Sequence, residues 1–367
     1  MPTDSDSPEI RARLARSVLK NNLRLRAGER VIIEAWTHTL PWAVAFAREA
    51  RRMGAYPLIP YDDEAAYWDA VEDREFDVLG KAAAHEWGAL ARTDVYLHMW
   101  GPGDRVRMGA LPRKVSQRLF AYNEEWYSVA RKAGVRGARL ELGRPYPTLS
   151  EAYGVDIPTW TEQLVQGTMV SPDQLARSAA RVTQTLARGR KLRIRNDDGT
   201  DLTLELAGRA PRTYIGRPVT GDRKRPYDIL ANIPSGAVRV ALDENVAEGL
   251  IVANRTCYYE DGKATGAVFR FHDGKLTSAD FDRGGDRFQK SFKTAGKGRD
   301  RPGFLAIGLN PALHDTPQLE DIERGAILVS VGGNQYLGGK NTSSFFGWAI
   351  NAGGTVEVDG RKLSLGV

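Results

Sequence analysis

Apolar residues recur along the first 60 residues at two different spacings. Residues 8–27 carry apolar side chains every three or four positions among arginines, which predicts an amphipathic opening helix. The run 30–35 predicts a buried strand, and 56–61 predicts another. Between them, 40–53 predicts a helix that ends at Gly54. Strand, helix and strand joined by short connections indicate a βαβ unit, and hence a parallel sheet covered by helices.

A further unit of the same kind follows. Residues 75–92 and 113–133 predict helices. Between them, 94–100 predicts a strand that breaks at Gly101-Pro102-Gly103, a position where the carboxyl edges of parallel sheets often build sites. The first half of the chain is therefore predicted to be an α/β domain.

The pattern changes after an amphipathic helix over 172–189. From Leu192 onward apolar and polar residues alternate, which predicts strands. These strands are separated by Asp-Gly pairs typical of tight turns, at 198–199, 261–262, 273–274 and 359–360. We therefore expect an α/β N-terminal domain over 1–185 and an α+β C-terminal domain over 186–367.

The composition narrows the functional classes. Of the 367 residues, 42% are hydrophobic and 27% charged, as in ordinary globular domains. The longest apolar runs are strand-sized and the polar start does not resemble a secretory signal, so we expect a cytoplasmic protein without a membrane span. Cys257 is the only cysteine, which excludes an internal disulfide and a cysteine-rich zinc site. The net charge is +6, but 52 basic residues are mixed with 46 acidic ones, so a nucleic-acid partner is not expected.

Several motifs occur in an order that is itself informative. They are Leu25-Arg26-Ala27-Gly28-Glu29-Arg30-Val31-Ile32-Ile33, Arg52-Met53-Gly54-Ala55, Arg144-Pro145-Tyr146-Pro147, Asn232-Ile233-Pro234-Ser235-Gly236, 303–311, and Gly338-Gly339-Lys340-Asn341 with Ser343. In this order they resemble the thermophilic aminopeptidases, the aminopeptidase T and aminopeptidase S family, over nearly the whole chain. The resemblance implies a thermophilic-aminopeptidase-like architecture and a homodimer.

Members of that family are similar in using two divalent ions to activate water for removal of an N-terminal residue. The resemblance implies six ligands, namely two glutamates, two histidines, a tyrosine and an aspartate. The matching positions of this chain carry other residues: Ala237, Phe304, Leu328, Gln335, Phe346 and Trp348. Four of these are bulky and apolar, so we expect them to be buried next to one another where the ions would lie.

The second half of the chain is also similar to the iron-dependent 2,5-dihydroxypyridine dioxygenases. That resemblance implies two histidines and an aspartate in the final motifs, and these positions are replaced here too. Ring opening is therefore no better supported than peptide hydrolysis.

Polar residues beside the replaced positions remain as candidates for chemistry. His314 or Glu320 can transfer a proton near neutral pH, and Asp315 can orient the histidine. Lys340 with Asn341 can stabilise an anion at a glycine turn. The candidates for substrate binding are Glu244, Asn334, Asn341 and Ser343. For each group the alternative is a structural one: an exposed turn, a glycine-dependent loop or a solvated acidic loop.

Three functions follow as hypotheses. The first is a metal-independent enzyme that acts on a peptide-like, cyclic amide or small aromatic substrate in the inherited cleft. The second is a non-catalytic binding or assembly protein, and the third is a metal-dependent hydrolase with ligands relocated to His314, Asp315, Glu320 and Glu244. Neither Gly101-Pro102-Gly103 nor Gly332-Gly333 has the spacing of a nucleotide loop, so no cofactor is expected. The expected partner is a small-molecule or peptide-like ligand.

Overall fold

The chain folds into two compact units in a computed structural model. The model describes residues 6–81, 83–219, 228–259 and 262–364. The first unit comprises Met1–Ser171 with Gly216–Pro234, and the second comprises Pro172–Ile215 with Ser235–Val367. One of the predicted turns, at 261–262, begins outside the described residues.

Helices dominate the first half of the chain and strands the second. The helices are α1 Pro8–Ser17, α2 Leu40–Arg52, α3 Glu64–Glu72, α4 Phe76–Leu79, α5 Ala84–Leu90, α6 Arg105–Ala110, α7 Arg113–Leu119, α8 Asn123–Ala133, α9 Pro147–Tyr153, α10 Ile157–Met169, α11 Pro172–Arg188 and α12 Asp286–Thr294. The strands are β1 Arg30–Ile33, β2 Ala35–Trp36, β3 Tyr56–Leu58, β4 Tyr61–Asp62, β5 Val95–Met99, β6 Arg136–Leu140, β7 Lys191–Arg195, β8 Asp201–Leu206, β9 Arg212–Tyr214, β10 Leu230–Ile233, β11 Ala237–Val252, β12 Cys257–Tyr259, β13 Gly262–Ala264, β14 Val268–His272, β15 Lys275–Asp280, β16 Pro302–Gly308, β17 Ala326–Gly332, β18 Phe346–Ala352, β19 Thr355–Val358 and β20 Arg361–Lys362. Within the described residues, no helix has the length and apolar character needed to cross a membrane.

The first unit is built on a five-stranded parallel sheet. Its strands lie in the order β10, β6, β5, β1 and β3, and every neighbouring pair is parallel. Parallel neighbours need a crossover connection, which the helices between these strands supply. The predicted α/β class is confirmed, and Glu34, Trp100 and Glu141 follow β1, β5 and β6 at one edge of the sheet.

The second unit is built on antiparallel strands. The main path runs β18, β17, β16, β11, β8, β7, β19 and β20. Successive side chains of a strand point to opposite faces. One face of β16–β18 joins the larger core with Val182 and Leu186 of α11, and the other forms a second cluster that contains Phe304 and Leu328. The predicted strand-rich second half is confirmed.

Three helices differ from their predicted extents. The opening helix, predicted over 8–27, ends in a π-helical turn at Val18–Asn22. The helix predicted over 75–92 is divided into α4 and α5, and the one predicted over 113–133 into α7 and α8. The helix α4 ends just before Gly80, where the backbone packs closely against α7. A Cβ atom at this position would lie 2.1 Å from a carbonyl oxygen of α7, so only glycine fits.

The division into units also differs from the predicted domains 1–185 and 186–367. The predicted boundary falls inside α11, whose residues Ala179, Val182 and Leu186 pack together in the core of the second unit. A helix stays with the core that buries its apolar face, so the second unit begins at Pro172. In addition β10 pairs with β6 and returns to the first unit.

Candidate functional site

Four of the six replaced ligand positions lie on the neighbouring strands β16, β17 and β18 of the second unit. Phe304 belongs to β16, Leu328 to β17, and Phe346 and Trp348 to β18. These strands are hydrogen-bonded neighbours, with Gly332 opposite Phe346 and Ala306 opposite Leu328. Because side chains two residues apart share a face of a strand, the bulky replacements gather on one face. Their expected convergence is confirmed.

Five aromatic rings form a continuous cluster on this face. Phe304 and Phe346 are stacked, with ring centroids 5.5 Å apart and planes inclined by 6°. Trp348 lies 5.0 Å from Phe346, and Tyr259 lies 5.3 Å from Trp348. Tyr336 packs edge-on against Phe304 at 5.6 Å. We call these five residues the aromatic cluster.

The cluster is only partly buried. Phe304 and Leu328 are enclosed, but Phe346 is 44% exposed and Trp348 is intermediate. The expectation that all four bulky replacements are buried is therefore wrong for Phe346. The reason is its position as the first residue of β18, which is the terminal strand among the described strands of this sheet. An aromatic surface results, not a closed core.

The residues at the six positions do not fit a pair of divalent ions. Alanine, leucine, phenylalanine and tryptophan offer no ligand atom, and Gln335 offers only an exposed amide. Across the described ranges, no three His, Cys, Asp or Glu side chains are grouped so that they could hold an ion. The relocated set is not assembled either, because the Glu244 carboxylate is bound to the Arg209 guanidinium at 2.6 Å.

His314 and Asp315 are held by different partners. The His314 ring is largely exposed, and its Nδ1 lies 3.1 Å from the Glu323 carboxylate. The Asp315 carboxylate accepts hydrogen bonds from the backbone and hydroxyl of Thr256 at 3.2 and 3.1 Å. These hydrogen bonds join His314 to Glu323 and Asp315 to Thr256, so they do not support the proposed orientation of the histidine by Asp315.

Glu320 is the one predicted acid or base with a strongly altered environment. It is 4% exposed, and its Oε1 accepts a long hydrogen bond of 3.3 Å from the Tyr258 backbone. Its Oε2 is buried and has no hydrogen-bond partner in the part of the chain that the structure describes. Burial raises the pKa of Glu320 to about 8, so the proton stays on at neutral pH. Burial also raises the pKa of the neighbouring Cys257 thiol, as expected of an inert cysteine.

The predicted anion and substrate residues form a structural network around the turn after β17. The Glu244 carboxylate accepts from Arg209, from the Lys340 amide at 2.7 Å and from Asn334 at 2.9 Å. Burial alone would raise the pKa of Glu244, but these hydrogen bonds lower it to about 2. Asn341 donates to two backbone carbonyls and Ser343 accepts from the Phe345 amide.

This network leaves few polar atoms for a ligand. The Lys340 residue is exposed, and only its backbone nitrogen takes part in the network. A Cβ atom at Gly339 would lie 1.9 Å from the Asn334 side chain, so the glycine is required by close packing. Sequence reasoning missed Arg209, which follows a loop glycine and has no motif around it, and missed Tyr259 and Tyr336, whose positions depend on packing across strands.

Comparison with known proteins supports this architecture. The family model described as thermophilic metalloprotease (M29) matches residues 9–311, most of the chain. A search of curated proteins found no match. Wild-type AmpT from Thermus thermophilus has a similar structure, with a TM-score of 0.70 and 20% sequence identity over 95% of each chain.

The 2,5-dihydroxypyridine dioxygenase from Pseudomonas putida KT2440 is also similar, with a TM-score of 0.62 and 15% identity over 98% of this chain and 96% of that one. At these identities both likenesses concern the fold. They confirm the predicted thermophilic-aminopeptidase-like architecture.

Proposed function

Because this chain belongs to the thermophilic metalloprotease (M29) family and carries unsuitable residues at all six ligand positions, we propose that it binds its ligand without a metal. The ligand is a peptide-like molecule or a small aromatic compound that places a planar apolar group on the aromatic cluster. The proposal includes a cytoplasmic location and a homodimer, and light scattering of the purified protein tests the homodimer.

The exposure of Phe346 carries this proposal. Its ring stacks on buried Phe304 and lies beside Trp348, so the ring is held in place while 44% of the residue remains exposed. Stacked aromatic pairs contribute about 0.5–1.5 kcal/mol beyond the burial of their area. A rigid, partly exposed stack on a sheet therefore favours binding of another planar group, whereas a merely filled core would enclose the ring.

A titration with N-acetyl-phenylalanine amide, followed by tryptophan fluorescence, tests the proposal. We expect Phe346→Ala to weaken binding by about tenfold, the equivalent of roughly 1.4 kcal/mol, while Phe346→Tyr retains it. The matched control is Tyr56→Ala, which removes an exposed aromatic side chain from the other unit and should leave binding unchanged. Equal affinities of the parent and Phe346→Ala would contradict the proposal.

A second candidate function is metal-independent catalysis with Glu320 as general acid or base. The observation that favours it is the pKa of about 8, since a catalytic acid works best near the operating pH. On this candidate, the hydrolysis rate of amide or cyclic amide substrates would follow a titration near pH 8 and vanish in Glu320→Gln. The variant His314→Ala shows whether the other predicted proton-transfer residue, His314, is needed for turnover. Turnover that persists in both variants would remove this candidate.

A further inference from the structure

Three arginine side chains surround one tryptophan ring in the first unit, apart from the site described above. The Cζ atoms of Arg105, Arg139 and Arg144 lie 5.6, 5.1 and 3.8 Å from the centre of the Trp100 ring. Each guanidinium is attracted to the ring by a cation–π interaction. The three positive charges around this side chain nevertheless repel one another. Three cationic side chains therefore meet at Trp100.

The fold places this group at the carboxyl edge of the parallel sheet. Trp100 directly follows β5, Arg139 lies near the end of β6 opposite His98, and Arg144 follows a short 3-10 helix that continues from β6. In open α/β sheets, ligands bind outside the carboxyl ends of the strands. The arginines thus occupy a position at which this kind of sheet commonly builds a site.

Several nitrogen donors of the group are buried without an acceptor. Trp100 Nε1, Arg139 Nε and Arg144 Nη1 have no hydrogen-bond partner anywhere in residues 6–81, 83–219, 228–259 and 262–364. Native proteins pair nearly all buried polar atoms, because an unpaired donor is destabilising. These three atoms can only donate, so an oxygen-bearing acceptor is what they lack.

Neighbouring carboxylates satisfy only part of this group. Glu141 accepts from Arg144 Nε at 2.7 Å, and both side chains are nearly buried. Arg139 donates to the Tyr127 hydroxyl at 3.4 Å and forms no ion pair with any described residue. Glu34, a carboxylate at the same sheet edge, is already held by a histidine and a tyrosine, each at 2.8 Å.

We propose that Trp100, Arg139 and Arg144 form a binding site for a small oxyanion, either a carboxylate or a phosphate group. Guanidinium groups present paired donors in a plane that matches the two oxygens of such a group. The indole nitrogen supplies a further donor, and Arg105 adds positive charge beside the ring. This site is independent of the aromatic cluster and of the function proposed for it.

Isothermal titration of the full chain with benzoate and with inorganic phosphate, at constant ionic strength set by sodium chloride, tests the proposal. We expect saturable binding of at least one of these anions and at least a tenfold loss of affinity in Arg139→Met. Arg139→Lys keeps the charge but loses the planar pair of donors, so it should lose affinity too. Benzoate alone binding identifies a carboxylate site, and phosphate alone a phosphate site.

A control variant and a second measurement accompany this titration. Arg190→Gln removes an exposed arginine of the second unit and should bind the anion like the parent. If Arg139→Met fails to fold, the thermal shift serves instead, because an anion that binds only the folded state raises the melting temperature of the parent but not of Arg139→Lys. No saturable binding of either anion, or equal binding by the parent and the Arg139 variants, would overturn the proposal and leave water as the acceptor.

Discussion

Glu320 and Glu323 stand three residues apart and have opposite electrostatic environments. Burial raises the pKa of Glu320 to about 8, from the ordinary glutamate value of 4.5. Burial acts on Glu323 in the same direction, but hydrogen bonds from Arg255 and from the Asp315 backbone outweigh it and lower the pKa of Glu323. Their ionic partners differ: Glu323 binds a guanidinium at 2.8 Å, whereas no cation among the described residues forms an ion pair with Glu320.

The first prediction concerns the pH dependence of stability at Glu320. The folded state keeps a proton that the unfolded state loses above pH 4.5, so Glu320 favours folding at low pH and this contribution is lost as pH rises to about 8. Glu320→Gln stays neutral, so we expect it to unfold with a free energy close to the parent at pH 5. At pH 8.5 it should be more stable by on the order of 4 kcal/mol, since each pH unit between 5 and the folded pKa of about 8 contributes about 1.4 kcal/mol. Denaturant unfolding at both pH values measures this.

Glu323→Gln is the matched control for that measurement. Its carboxylate has a lowered pKa, so its contribution is present above the ordinary glutamate value and is lost as pH falls through the folded pKa. The glutamine variant should therefore be less stable than the parent at neutral pH. If Glu320→Gln were also less stable than the parent at neutral pH, the proton held by Glu320 would not explain the pH dependence of stability.

At the scale of the strands, the aromatic cluster contains a buried ring that is stacked against an exposed one. Phe304 is 2% exposed and Phe346 is 44% exposed, although the two rings are stacked. We expect Phe304→Ala to lower the free energy of unfolding by about 3–5 kcal/mol, the range for a phenylalanine removed from a core. Phe346→Ala should lower it by roughly 1 kcal/mol or less, because the side chain is already partly in water. Denaturant unfolding of both variants gives the comparison, and equal losses would contradict the structure of the cluster.

The turn between β17 and β18 gives a second prediction at this scale. Asn334 is fully buried, donates to the Gly303 carbonyl and the Glu244 carboxylate, and accepts from the Asn341 amide. Asn334→Ala removes three buried hydrogen bonds at once, so we expect a loss of roughly 2–4 kcal/mol in unfolding free energy. Ser343→Ala removes an acceptor for one amide and should cost about 1 kcal/mol. Similar values for the two variants would argue against a central role for Asn334.

Some of these elements could be predicted from the sequence and others could not. Apolar runs such as 30–35 and 94–100 indicated the parallel sheet, because both faces of its strands are buried and local pattern suffices. The return of β10 to the first unit could not be predicted, since pairing with β6 is a contact between residues about 90 positions apart in the chain. Convergence of the replaced ligand positions came from the resemblance, but the exposure of Phe346 depends on its place at the sheet edge, which no local pattern encodes.

At the scale of the whole molecule, the chain has the fold of its family, and no three His, Cys, Asp or Glu side chains of its described residues are grouped so that they could hold a metal ion. The chain matches the M29 family over most of its length, and AmpT covers 95% of it. Architecture of this kind is specified by many apolar positions and tolerates change at a few polar ones. Membership of the family therefore establishes the fold, and the function has to be argued from the residues now present at the site.

The last prediction is that the protein, purified without a chelator, holds far less than one zinc, cobalt, manganese or iron ion per chain. A divalent ion needs carboxylate or imidazole ligands to replace its water, and the face of β16–β18 offers it Phe304, Leu328 and Trp348. Elemental analysis measures the metal content, and a chelator should leave the melting temperature unchanged. The double variant Phe346→His with Trp348→Asp should stay metal-free, because four other ligand positions remain replaced and a partly buried carboxylate without a cation is destabilising. An ion held at one or more per chain, together with a lower melting temperature after chelation, would show that other residues have taken over as ligands.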